Sequence, residues 1–162
     1  MSRPIIRKRA RTVQKRSETL GMESRIEETI KRHDRGYNCA QAVACTYCDL
    51  VDVDEETMFR MTEGLGLGMG CMEGTCGALS GACVLAGMVN SGGTEKANTK
   101  GSTYKLSREL VTRFQNRNQA TRCRDLKGVD TGVVLRSCPD CIRDAAEFVE
   151  EVLFPGQFDE QK

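Results

Sequence analysis

The side chains in this sequence best suited to chemistry are thiols, because the chain carries nine cysteines against a single histidine, His33. Most sit in short runs: CAQAVACTYC over 39–48, MGCMEGTCGALSGAC over 69–83 and CPDC over 138–141, with Cys123 on its own. An odd number of cysteines cannot all pair within one chain. A chain read as cytoplasmic also meets a reducing environment that disfavours a disulfide framework. Metal binding and thiol redox chemistry are what remain. Hydrolysis is not expected, since one histidine beside a charged run leaves no Ser-His-Asp set and the acids recur on helix faces and caps rather than in pairs.

Three of the thiols fall where helices should begin. Asn38 with Gln41 three residues later has the spacing of a capping box, which makes Cys39 the first helical residue. Thr75 can cap the next such helix and leave Cys76 in its first turn. Ser137 with Asp140 repeats the capping-box spacing, Pro139 suits a first turn, and Cys138 lies at the start. Free N–H groups and the positive dipole end stabilise thiolate at such places, which makes these thiols good ligands and good nucleophiles. The plainer alternative is that cysteine, a small hydrophobe, fills gaps in a core. Gly64, Gly66, Gly68 and Gly70 alternate just upstream. No register gives Gly-x-Gly-x-x-Gly and no Lys-Ser or Lys-Thr follows, so neither a dinucleotide fingerprint nor a phosphate loop is present. The stretch reads as an irregular loop whose glycines permit positive φ and close backbone approach.

The elements that must position these thiols read as helices. Ile26 and Ile30 mark one face over 22–34, with Gly36 to end it. An acid-started helix over 54–63 is expected to turn Met58 and Met61 inward. A small-residue helix over about 77–89 carries Gly77 and Gly81 four apart, a bare face on which another helix can sit. The run 102–117 steps Leu106, Leu110 and Phe114 at fours, with Tyr104, Ser107 and Val111 beside them. The last helix buries Ile142, Ala145, Val149, Val152 and Leu153. No alternating strand pattern appears. The expected fold is all-α: a compact bundle of about five helices, with a Gly/Cys-rich loop before a central small-residue helix.

Length and charge complete the outline. With 162 residues, 39% of them hydrophobic, the chain can build one real core, read here as a single helical domain over 22–156 with a tail over 157–162. Residues 1–21 hold seven Lys or Arg against one acid and are read as a basic, disordered extension, leaving the remainder with a net charge of −5. The arm has no aromatic interleaving and no reading motif, so nucleic-acid binding is not expected. No secretory signal is seen, and the longest apolar run, 76–89, is 14 residues, short of a membrane span.

GYNCAQAV, GTCGALSG, RCRDL and CPDCIRDAAEF, in that order over about 22–154, resemble the family of redox-active proteins labelled by its cysteine signature, C-GCAxxG-C-C. The signature's cysteines fall on Cys39, Cys76, Cys123 and Cys138. Here Cys76 precedes Gly77 and Ala78 rather than standing between glycine and alanine as the label spells it. A multihaem cytochrome with a similar cysteine framework also holds an iron–sulfur centre. Haem does not carry over, because neither CTYC nor CPDC is followed by His and His33 reads as a solvated helix residue.

The resemblance therefore implies an iron–sulfur cluster, a [2Fe-2S] centre on Cys39, Cys76, Cys123 and Cys138. Gly74, Gly77, Ala78 and Gly81 would bring backbone N–H groups to it. Its role would be electron transfer or redox sensing with a partner protein, and a homodimer is compatible with it. Two other chemistries stay open: thiol–disulfide exchange with Cys138 attacking and Cys141 resolving, and structural zinc held by Cys45, Cys48, Cys138 and Cys141. A plain helical interaction module is the remaining reading. Cys83 reads as a core filler, and Cys71 as a spare ligand or a resolving thiol for Cys76.

Overall fold

Apolar residues at helical spacing, interrupted by glycine and asparagine, set the boundaries of the elements. The computed structural model describes residues 21–159. Its helices are α1 (Ile26–Asp34), α2 (Cys39–Thr46), α3 (Glu55–Thr62), α4 (Gly66–Met69), α5 (Gly77–Asn90), α6 (Lys100–Asn118), α7 (Cys123–Leu126) and α8 (Cys138–Phe148), the last continued by a π turn to Leu153. Among the described residues β pairing is confined to isolated bridges, Met22 with Phe158, Thr75 with Arg122 and Gly92 with Lys96. The fold is all-α. None of the described helices is long and apolar enough to cross a membrane. Apart from Gly21, the basic extension lies outside the described residues.

At the centre α2 lies on α5, and the small residues of both explain why. A Cβ added at Gly81 would stand 2.6 Å from the Ala40 carbonyl oxygen, and one at Gly77 would stand 3.2 Å from the Cys39 Cβ. The bare face expected on α5 therefore seats the first turn of α2, which brings Cys39 to the start of α5. Leu110 and Phe114 of α6 and Ile142 and Ala145 of α8, all buried, close the core around this pair. Each buried Leu, Ile or Phe contributes about 1.5–3 kcal/mol. Tyr47, buried at the far end of α2, donates to the Glu150 carboxylate at 2.9 Å.

Several placements differ from expectation. Helix α1 begins at Ile26 rather than at 22, because the Arg25 amide is taken by Glu150 at 2.7 Å and Met22 pairs with the chain end. Met61 is 57% exposed while Met58 is buried, and Thr62, four residues on and nearer in angle to Met58, takes the inward place. Tyr104, off the Leu110 stripe of α6 by about a third of a turn, is exposed. Phe158, read as tail, packs against Tyr47 and Phe154.

The glycine-rich loop is irregular, as expected, but its glycines serve closeness as much as conformation. Positive φ falls on Leu67, Met69 and Met72 as well as on Gly68 and Gly70. A Cβ at Gly66 would stand 2.6 Å from the Asn38 side chain, and one at Gly68 would stand 2.6 Å from the Cys123 Cβ.

Candidate redox site

Four local devices set the thiols in place. At α2 the capping box is complete: Asn38 Oδ1 accepts the Gln41 amide at 3.0 Å and Gln41 Oε1 accepts the Asn38 amide at 2.9 Å, so Cys39 opens the helix. At α5 the cap is Cys76 itself rather than Thr75, which is drawn into the bridge with Arg122. The amides of Ala78 and Leu79, second and third in the helix, face the Cys76 sulfur. At α8 Ser137 Oγ accepts the Asp140 amide at 3.2 Å, as expected. The carboxylate of Asp140, however, takes the Ser137 hydroxyl proton at 2.6 Å instead of reaching the backbone.

The fourth device joins Cys76 to Cys123. Cys76 donates its amide to Thr121 at 2.7 Å, Cys123 to Gly74 at 3.0 Å and Arg124 to Met72 at 2.9 Å, so the segment 72–76 lies beside 121–124. Ion pairs from Arg122 and Arg124 to Glu73 lie across the same seam at 3.3 and 3.5 Å. On the α8 side, Arg136 pairs with the buried Asp144 through two bonds of 2.9 Å and anchors the segment that leads into Cys138.

These devices converge on one cavity of about 320 Å³ lined by Cys39, Cys76, Cys123, Cys138 and Cys141. Two cross-helix sulfur pairs form within it. Cys39 neighbours Cys138 and Cys141 neighbours Cys76, while the Cys141 thiol points at the Arg136 carbonyl at 4.0 Å. One sulfur of each pair is shifted down and the other up. Cys138 is lowered to about 5, first by the Cys39 hydrogen bond and further by the Lys127 ammonium in contact with it. Cys76 is lowered by the Cys141 hydrogen bond and by the two amides. Donation to the partner sulfur and burial push Cys39 and Cys141 up, while burial alone leads the rise at Cys123. The lining holds His33, Lys127 and Arg136 but no carboxylate, so the field in the cavity favours negative sulfur.

All four signature cysteines thus meet at one place. Gly77 lines the cavity, whereas Gly74 and Gly81 stand outside its lining. The Gly74 amide donates to Gly68 at 3.0 Å, and Gly81 is occupied by its contact with Ala40. Three lining residues stand outside the signature set. Cys141 is a site residue in sequence only as a partner for Cys138 or a zinc ligand, nothing in the sequence marks Lys127, and His33, which reads as solvated, faces the cavity. The available signal was periodicity, since Lys127 lies one turn after Cys123 and Cys141 one turn after Cys138.

The zinc set is not assembled. Cys45 and Cys48 do not line the cavity. The Cys45 thiol points at the Glu55 carbonyl, and burial pushes it up to about 12. Six residues along α2 is well over one turn, which carries Cys45 to the α3 side while Cys39 faces α8. Among the described residues no three His, Cys, Asp or Glu side chains are grouped to hold a single metal ion. Cys83 is half-buried beside Ser107, and Cys71 is exposed in the loop with its thiol near the Gly68 carbonyl.

The family model described as Putative redox-active protein (C_GCAxxG_C_C) matches residues 37–152. The chain belongs to this family. No curated protein and no solved structure matches it. The span assigned to the C_GCAxxG_C_C family opens one residue before the Asn38 cap and closes in the π turn after α8, so it takes in all five cavity cysteines.

Proposed function

We propose that this C_GCAxxG_C_C protein is a one-electron carrier or redox sensor that binds an iron–sulfur cluster, a [2Fe-2S] centre, through Cys39, Cys76, Cys123 and Cys138. The observation that carries this reading is the convergence of four thiols, from four separate segments, on one cavity with cationic and no anionic side chains. The donor set suits the group: thiolates are the ligands that hold such clusters. The thiols reach this one cavity from separate segments, as a group held by several sulfurs at once requires. When bound, the cluster would supply a reversible one-electron couple.

The chain's own residues prepare that couple. Ala78 and Leu79 amides face the Cys76 sulfur, and Lys127 bears on Cys138. Both withdraw negative charge from ligand sulfur and raise the potential. Leu67 and Leu126 add apolar surface to the same cavity.

The experiment is anaerobic reconstitution with ferrous iron and sulfide, followed by iron and sulfide analysis, visible absorption and paramagnetic resonance of the reduced sample. The expected result is brown protein whose absorption is lost in Cys76→Ser and kept in Cys83→Ser. Colourless protein that takes up no iron under these conditions would end this reading.

A further inference from the structure

The first and last described residues meet beside an acidic cleft that the redox site does not use. Met22 donates its amide to the Gln157 carbonyl at 2.8 Å, Asp159 donates its amide to the Met22 carbonyl at 2.9 Å, and Gly21 lies against the Asp159 carboxylate. The cleft, of about 570 Å³, opens at the other end of α8 from Cys138. Ile26, Phe154 and Phe158 give it apolar surface. Glu147, Glu150, Glu151 and Asp159 give it four carboxylates, with no Lys, Arg or His among its described lining residues. Arg117 and Arg113 of α6 pair with Glu147 and Glu151 at 2.8 and 2.7 Å. Among the described residues no cation pairs with the other two. Glu150, 8% exposed on the π turn, takes the Tyr47 hydroxyl and the Arg25 amide, both on Oε1, while the Arg25 guanidinium goes to Asp49. A buried carboxylate left without an opposite charge favours a cation brought to it.

The chain itself supplies cations at this place. Residues 1–20 hold seven Lys or Arg against Glu18 and join the fold at Gly21, beside Asp159. The five residues from Arg16 to Gly21 can span at most about 18 Å, which is enough to fold back across the cleft. We propose that residues 13–20 of this arm dock in the cleft of their own chain, with Lys15 and Arg16 on the Glu150 and Asp159 carboxylates and Val13 and Leu20 against the Ile26 and Phe154 surface. Charge complementarity selects this occupant: seven positive charges less one negative give the arm +6, against −5 for the remainder. The contact ties the arm to the π turn and weakens as salt screens it. It uses no cavity cysteine and no cluster, so it stands or fails apart from the redox reading.

The test is zero-length carbodiimide cross-linking of the full chain, which joins Lys to carboxylates, on an equal mixture of unlabelled and nitrogen-isotope-labelled chains, with linked peptides mapped by mass spectrometry. At about 0.01 M salt Lys15 is expected to link mainly to Glu150, Glu151 or Asp159 within one chain, and at about 1 M salt these links should fall several-fold. Asp159→Asn, which keeps the backbone bond to Met22, should lower the Lys15 links to Glu150 and Glu151 several-fold. Links between chains of different isotope would place the arm on a second copy and overturn the proposal. So would Lys15 links spread evenly over Glu18, Glu23 and the cleft, or links unmoved by salt and by Asp159→Asn, which is what an arm merely tethered nearby would give.

Discussion

The two ends of α2 carry the same residue type in opposite settings. At the first residue, Cys39 lines the cavity with Cys138 and Lys127, and Cys138 is lowered by its Cys39 neighbour and by the Lys127 charge. At the other end, Cys45 and Cys48 are buried on the α3 side near the Glu55 carboxylate, and burial leads the rise of both. The difference lies in what surrounds the sulfur. A helix start, a nearby cation and a second thiol able to donate hold one sulfur negative, while burial beside a carboxylate holds the other two neutral.

The largest expected effect is on reactivity. In the reduced, metal-free chain at pH 7, an alkylating agent should label Cys138 faster than Cys45 by at least about 100-fold, because thiolate and not thiol is the nucleophile. Peptide-resolved labelling rates check this, and equal rates at the two sites would erase the distinction. The pH dependence of stability should also carry opposite signs. Cys138, ordinarily 9.0 and lowered to about 5, contributes stability that is present above 9.0 and lost as pH falls through 5. Cys45, raised from 9.0 to about 12, contributes stability that is present below 9.0 and lost as pH rises through 12. The difference between Cys138→Ser and the parent should therefore change between about pH 5 and 9, and that between Cys45→Ser and the parent between about pH 9 and 12.

The next effect comes from the contact that fixes α2 between its two ends. Gly81→Val forces side-chain carbon onto the Ala40 backbone oxygen, where even a Cβ would stand at 2.6 Å, and backbone cannot swing aside as a flexible side chain can. A loss of about 3 kcal/mol in urea unfolding is expected. Gly87→Ala on the same helix is the control, since nothing lies within 4 Å of a Cβ there and the gain in helix propensity is up to about 1 kcal/mol. If the two variants unfold alike, the seating of α2 on α5 through Gly81 is not what holds the cavity end in place.

What could be read beforehand follows the range of the interactions involved. The Asn38–Gln41 box and the Ser137 cap are complete within four residues, so spacing alone placed Cys39 and Cys138 at helix starts. The Gly77 and Gly81 face is likewise local. Cys76 was placed near a helix start for the wrong reason: its cap depends on a bridge to Arg122, distant in sequence, which withdraws Thr75. Membership of the cavity was least visible for Cys141 and Lys127. Each lies one turn from a signature cysteine, but which way that turn faces is decided by α2 and α5 packing against α8, and no local pattern records it.

The smallest effect tests the outer side of the wall that covers Cys45. Met58 and Met61, three apart on α3, both read as inward from sequence, but only Met58 is buried and Met61 is 57% exposed. The inward positions of this short helix are 58 and 62, and the Thr62 hydroxyl donates to the Met58 carbonyl at 2.7 Å inside the core. Met61→Gln should therefore change stability by no more than about 0.5 kcal/mol, the range of an exposed substitution that breaks no specific contact. It should leave Cys45 as slow to alkylate as before. A cost approaching that of a buried methionine, about 2 kcal/mol or more, would mean that α3 is rotated from the position described. The burial that keeps Cys45 protonated would then need a different wall, and the contrast between the two ends of α2 would lose its physical cause.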